Sequence, residues 1–169
     1  MSEKVDCCFC VGMNWFRYRV GAVIVSDGYV LFAYNDNSGY YYTVGGGVHI
    51  GECSEQAITR EVFEETGLSP EIYTKRPLCI VENFFDGDGL LEGYDCHTVE
   101  YYYLMSTDSR KEYDVGSVTT GGDAEKMCWL PIDRIDEYDI RPVFIKELLK
   151  NIPEHFISYV SDNRNIDNA

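Results

Sequence analysis

The sequence predicts an α/β domain in which several short strands surround one well-marked helix. Two observations carry this expectation. Apolar runs rich in Val, Ile, Tyr and Phe recur along the chain, separated by Asp-Gly, Asn and Gly-rich turns. Among them lies a segment with helix start and stop signals at both ends, from Ser54 to Gly67.

Taken in order, residues 17–26 alternate and end in β-branched side chains, which reads as a strand. Asp27-Gly28 is a strong hairpin signal, with 29–34 as the return strand. Residues 35–39 are turn chemistry, and 40–43 form a short strand running into Gly45-Gly46-Gly47. Ser54 is the expected N-cap of the helix, and Glu55 and Gln56 suit its first turn. Gly67 supplies a left-handed cap at the other end, and Pro70 blocks continuation. Ile58 and Val62 lie four apart and face a core. Further strands are expected over 72–82, 96–105 and 126–130, with loops over 83–95 and 107–123. Pro131 starts a helical turn, 140–150 reads as a second helix, and 161–169 as a disordered tail.

The 169 residues fit a single domain, with a core over about 15–150 and a Cys-containing N-terminal segment. No apolar run approaches the roughly 20 residues that cross a bilayer, and no signal peptide is visible. A soluble, cytoplasmic protein is expected. The seven cysteines are odd in number and irregularly spaced, as for free thiols. Cys7, Cys8 and Cys10 lack a second Cys-x-x-Cys to complete a zinc site. A net charge of -15 argues against duplex nucleic acid and anionic membranes as partners. It also means that a phosphate-bearing ligand would need a cation to invert the local field.

The stretch with chemical content is 46–68, GGVHIGECSEQAITREVFEETGL. On a helix, Glu61, Glu64 and Glu65 fall within an arc of roughly 100°. Two such charges about 5 Å apart repel by roughly 3 kcal/mol at an effective dielectric near 20. A solvated acidic face is the bland reading of Glu-x-x-Glu-Glu alone. Its surroundings favour another. Arg60 adjoins Glu61 and lies one turn before Glu64, and three glycines precede the helix where backbone can approach a metal or phosphate. Hard oxygen ligands so arranged suit Mg²⁺ or Mn²⁺.

The spacing Gly46, Glu52, Arg60-Glu61, Glu64-Glu65, Gly67 resembles the Nudix box at every fixed position. The resemblance extends through 16–20, 81–85 and Trp129-Leu130-Pro131 with Arg141-Pro142, covering about 15–150. It implies an α/β/α sandwich around a mixed β-sheet. It also implies a hydrolase that cuts the pyrophosphate bond of a small phosphoanhydride substrate, of nucleoside triphosphate or nucleotide-sugar type. By position, Gly45, Glu61, Glu64 and Glu65 are similar to metal ligands. Arg60, Glu61 and Glu64 resemble catalytic residues, with Arg60 orienting the glutamates, while Glu52 resembles a structural member of the box. Two departures bear on substrate preference: Val44 stands where Pro is common, and His49 where Glu is common. Dimers are frequent in that family, so a homodimer is among the expectations.

Outside the box, Arg19 is the candidate phosphate contact and Phe84 the candidate stacking residue; Phe85, Tyr40, Tyr41 and Tyr42 are weaker stacking candidates. Glu100 and Glu125 are candidate extra carboxylates, and the three histidines read as structural. The competing reading is a non-catalytic nucleotide- or metabolite-sensing domain on the same fold. The complete glutamate set weighs against it.

Overall fold

A computed structural model describes residues 4–108, 110 and 124–164. Its framework is one mixed sheet. Strand β1 covers Cys8–Val11, β2 Asn14–Ser26, β3 Tyr29–Tyr34, β4 Tyr41–Thr43, β5 Thr74–Asp86, β6 Asp95–Ser106, β7 Lys126–Pro131, β8 Ile140–Arg141 and β9 Ile157–Asp162. The main order is β8-β4-β3-β2-β6-β5-β9, with β1 paired to β2 and β7 to β3. β2 and β6 run parallel at the centre, while β5 is antiparallel to β6.

Two layers cover the sheet. Helix α1 (Ser54–Thr66) lies on one face, where fully buried Ala57, Ile58 and Val62 meet Val20, Ala22, Ile24 and Leu31. Burying a side chain the size of Ile58 contributes roughly 2 kcal/mol. On the other face, Phe144, Ile145 and Leu149 of α2 (Phe144–Lys150) pack on Val23, Phe32, Val81 and Tyr102. This is the α/β/α sandwich around a mixed sheet. Alternation decides which side chains serve which layer. On β2 the even positions 20, 22 and 24 face α1, so Arg17 and Arg19 face the opposite side.

Several local expectations are corrected. The N-cap of α1 is Cys53, whose N–H donates to Gln56 Oε1 at 3.2 Å, while Ser54 pairs with the Tyr103 hydroxyl at 2.9 Å. Gly67 does take the left-handed conformation, at φ 68°. The segment 83–95 is not all loop: β5 runs on to Asp86, because Asn83 to Asp86 pair with Thr98 to Asp95. The second helix begins only at Phe144. Ile140 and Arg141 instead pair with Tyr41 and Tyr42 as β8, and Pro142 follows. Residues 161–162, read as part of a disordered tail, close β9 beside β5. Residues 165–169, and 109 and 111–123 of the expected 107–123 loop, lie outside the described residues. Strands β1 and β9 had no counterpart in the sequence reading. All seven cysteines are free thiols, and among the described residues no helix is long and apolar enough to cross a membrane.

Candidate active site

Sheet register assembles the floor of a cleft of about 870 Å³. Arg17, Thr98 and Asn83 form one row across β2, β6 and β5, while Arg19 stands opposite Glu100 in the next. The loop Gly45-Gly46-Gly47 and the side chains of Glu61 and Glu65 form a wall, and Tyr40, Tyr42 and Arg141 stand farther along. Backbone bonds from Val20 N–H to Gly46 C=O and from Ala22 N–H to Val44 C=O, at 2.9 and 2.8 Å, pin the loop to β2.

Arg60 is the hub of the carboxylate cluster. Its Nε and Nη2 grip the two oxygens of Glu52 at 3.0 and 2.8 Å. Nη1 donates to Glu61 Oε1 at 2.6 Å and Glu64 Oε2 at 3.2 Å, and Nη2 also reaches the Gly47 carbonyl at 3.0 Å. One guanidinium thus fixes helix, loop and three glutamates together. It also sets the protonation of Glu52, which is lowered from 4.5 to about 2, chiefly by the Arg60 hydrogen bonds. A depressed carboxylate contributes stability above its unfolded value and loses it as pH falls through its folded one. The wild type is therefore expected to lose about 2 kcal/mol between about pH 4.5 and 2, allowing for solvent screening. Glu52→Gln should lack that component, and chemical denaturation across this pH window reads the difference.

Glu65 lies deeper. Both its oxygens accept the Gly45 N–H at 3.3 Å. Burial, followed by the charges of Glu125 and Glu61, holds its pKa well above the usual carboxylate range. Burial also raises that of Glu61, against the pull of Arg60. Glu64 is more exposed and is not part of the cleft lining. The Glu61 carboxylate occupies the space that a side chain at Gly46 would need, with its atoms 2.7 Å from an added Cβ.

Arg19 lines the floor, and its buried Nε has no hydrogen-bond partner among the described residues. Glu100 is beside it, yet its oxygens accept from Asn83 Nδ2 at 3.2 Å, Thr98 Oγ1 at 2.6 Å and Tyr102 OH at 2.5 Å. Three neutral donors thus hold Glu100, and it balances the Arg19 charge without a direct bond. Glu125 accepts a short hydrogen bond from Tyr42 OH, which Asn35 Nδ2 also approaches at 3.4 Å.

Two placements differ from the sequence reading. Phe84 does not reach the cleft: neighbouring strand residues point to opposite faces, so Phe85 lines it. Phe84 instead stacks on His97 at 4.3 Å on the other face. Asp6, which no sequence signal marked, does enter the cleft. It accepts from Arg17 at 3.2 Å and approaches His49 Nε2 at 3.6 Å. Only long-range folding of residues 5–7 against 48–50 could reveal it.

Arg60 thus ties two glutamates of α1, and Glu52 just before it, to a glycine loop set on a mixed sheet. The NUDIX domain family model matches residues 15–151, and the chain belongs to that family. A stretch of 36 residues is 58% identical to the NAD-capped RNA hydrolase NudC of Haemophilus influenzae. Another of 57 residues is 44% identical to the RNA pyrophosphohydrolase of Acinetobacter baylyi. These matches cover 21% and 33% of this chain, and only 14% and 34% of the relatives. Among solved structures, the MutT protein of Bacillus halodurans has a TM-score of 0.60 at 15% identity, over 87% of this chain and 91% of that one. The MutT NUDIX hydrolase of Burkholderia pseudomallei has a TM-score of 0.57 at 24% identity, over 82% and 98%. These likenesses show the fold.

Proposed function

We propose that the protein is a metal-dependent hydrolase that cleaves the phosphoanhydride bond of a nucleoside diphosphate linked to a second group. The observation that carries this reading is one cleft holding two carboxylates that repel each other, Glu61 and Glu65, and the Arg19 guanidinium, whose Nε has no hydrogen-bond partner. The RNA-end hydrolases among the matched relatives are compatible with a nucleotide anhydride substrate.

The donor set fits Mg²⁺ or Mn²⁺. Its side-chain donors are hard oxygens, and burial, followed by the charges of Glu125 and Glu61, raises the Glu65 pKa, a cost that a bound cation would offset. No three His, Cys, Asp or Glu side chains among the described residues stand ready to close a metal shell alone. That suits Mg²⁺, which is bound through one or two carboxylates, water and substrate phosphate. Glu61, Glu65 and the Gly45 carbonyl would hold it, with Glu64 at the rim. A bound metal supplies charge neutralisation at the phosphoryl oxygens and a more acidic water.

The chain's own residues do the rest. Arg19 binds a phosphate oxygen, and Arg60 keeps Glu61 and Glu64 oriented. Arg60 occupies Oε1 of Glu61, leaving Oε2 to accept the proton of an attacking water. The water oxygen bonds to phosphorus, the bridging P–O bond breaks, and the departing phosphate keeps the electron pair. Arg19→Ala is expected to raise KM tenfold or more, roughly the weight of a charge-assisted hydrogen bond. Steady-state kinetics with Arg19→Lys alongside would test this, since the single ammonium should restore only part of the affinity.

The assignment is tested by incubating the protein with Mg²⁺ and a panel of nucleoside triphosphates and nucleotide sugars. Phosphate is read with and without a coupling phosphatase, beside Glu64→Gln. Turnover in the wild type, reduced about a hundredfold or more in the variant, is the expected result. Equal release by both proteins would overturn it.

A further inference from the structure

Three carboxylates stand on the three successive glycines of the cleft wall, and helix α1 supplies only two of them. Glu65 accepts the Gly45 N–H, and Glu61 fills the space beside Gly46. The third is Asp6, whose Oδ2 lies where a side chain at Gly47 would stand. Asp6 precedes the region matched by the family model. Backbone pairing brings it there. The Cys7 N–H donates to the Val48 carbonyl at 2.7 Å, the Ile50 N–H to the Val5 carbonyl at 2.8 Å, and the Tyr18 N–H to the Cys7 carbonyl at 2.8 Å. Residues 5–7 are thereby tied both to the loop before α1 and to β2, with Asp6 bridged to His49. From this position the Asp6 carboxylate accepts from Arg17 Nη2 at 3.2 Å and stands 3.6 Å from His49 Nε2.

The two arginines of β2 are placed differently by this contact. Arg17 and Arg19 lie two residues apart and both line the cleft. Two residues of strand span about 7 Å, which a chain of phosphates can bridge. Arg19 has a buried Nε with no hydrogen-bond partner among the described residues, whereas Arg17 is engaged by Asp6. A phosphate arriving at Arg17 has to displace a carboxylate and bear its repulsion. An uncharged hydroxyl does not, because the Asp6 oxygens can accept from it.

We infer that Asp6 sets the phosphate count of the substrate. By occupying Arg17 it leaves Arg19 as the phosphate contact, so the cleft takes a diphosphate whose second group is uncharged and hydroxylated, as in a nucleotide sugar, in preference to a triphosphate. This deepens the hydrolase reading and rests on it for the placing of the diphosphate at Glu61 and Glu65. Removing the Asp6 charge frees Arg17 for a third phosphate.

Binding without turnover separates this inference from the catalytic one. The α,β-methylene analogues of ADP and ATP differ by one phosphate, and the methylene bridge resists cleavage. Isothermal titration with Mg²⁺ present measures what that phosphate adds. In the wild type it should tighten binding by less than about threefold. In Asp6→Asn, which keeps the shape and removes the charge, it should tighten binding by about tenfold or more, the weight of one charge-assisted hydrogen bond. Asp6→Asn combined with Arg17→Gln should lose that gain. Melting temperatures close to the wild type would show that the variants fold, and Asp6→Ala carries the same expectation where Asp6→Asn does not. A tenfold gain already present in the wild type, an unchanged ratio in the folded Asp6 variants, or a gain that survives the loss of Arg17 would overturn the inference. So would a failure of all the proteins to bind either analogue. The expected pattern in a protein that hydrolyses no anhydride would leave the role of Asp6 standing and sink only the hydrolase reading.

Discussion

Glu65→Gln is expected to raise the melting temperature of the metal-free protein while lowering kcat about a thousandfold or more. The two effects share one cause. Burial and the charges of Glu125 and Glu61 push the Glu65 pKa up. A carboxylate whose folded pKa is raised destabilises the fold at every pH above its unfolded value, so at neutral pH its charge opposes folding. Glutamine removes that charge and still offers Oε1 to the Gly45 N–H, which Glu65 accepts at 3.3 Å. It cannot ligate a cation as a carboxylate does, so the proposed catalytic apparatus loses its deepest anionic donor. Such opposition between stability and activity is common at sites built for function. Thermal unfolding without metal and steady-state kinetics with Mg²⁺ check both halves. A lower melting temperature would mean that Glu65 is held by contacts more favourable than those described.

Gly45→Ala should be the most damaging single-methyl change in the site. Gly45 has φ 137°, a region L side chains rarely adopt, and an added Cβ would collide with the Val20 carbonyl oxygen. The backbone has nowhere to retreat, since hydrogen bonds from Val20 and Ala22 fix it on both sides and Val20 is fully buried. Strain plus overlap should cost about 3 kcal/mol or more, which lowers the melting temperature by about 6–12 °C. Gly51→Ala is the internal control. Its φ is 86°, but nothing lies within 4 Å of an added Cβ. Only the left-handed penalty of about 1–2 kcal/mol applies there. Equal melting temperatures for the two variants would show that the contact at Val20 does not constrain the loop.

The glutamate cluster was legible because it is local. Glu61, Glu64 and Glu65 share a face by helical period alone, and the caps at both ends of α1 lie in the same short stretch. The grip of Arg60 on Glu52 is nearly as local, at a sequence separation of eight. The rest of the cleft depends on register, which no single segment contains. Arg19 meets Glu100 only because β2 and β6 run parallel in that alignment. Phe84 and Phe85 are equally aromatic, and a one-residue shift decides which faces the cleft.

The same reason explains the misread end of β5. Asn83 and Asp86 are polar because they face the cleft and its rim, so the strand lost its apolar alternation where it becomes functional. Arg141 read as helical from its neighbours, yet it pairs with Tyr42 at the sheet edge. Asp6 lies outside the matched family region, and only its tertiary contacts with Arg17 and His49 bring it in.

The most direct test of the account is the Mg²⁺ dependence of nucleotide anhydride cleavage by the wild type beside Glu65→Gln, with the products separated by chromatography. The account predicts a nucleoside monophosphate product that appears only with Mg²⁺ or Mn²⁺, saturates with metal, and is lost in the variant. Cleavage that persists in EDTA, or that Glu65→Gln performs at the wild-type rate, would contradict it.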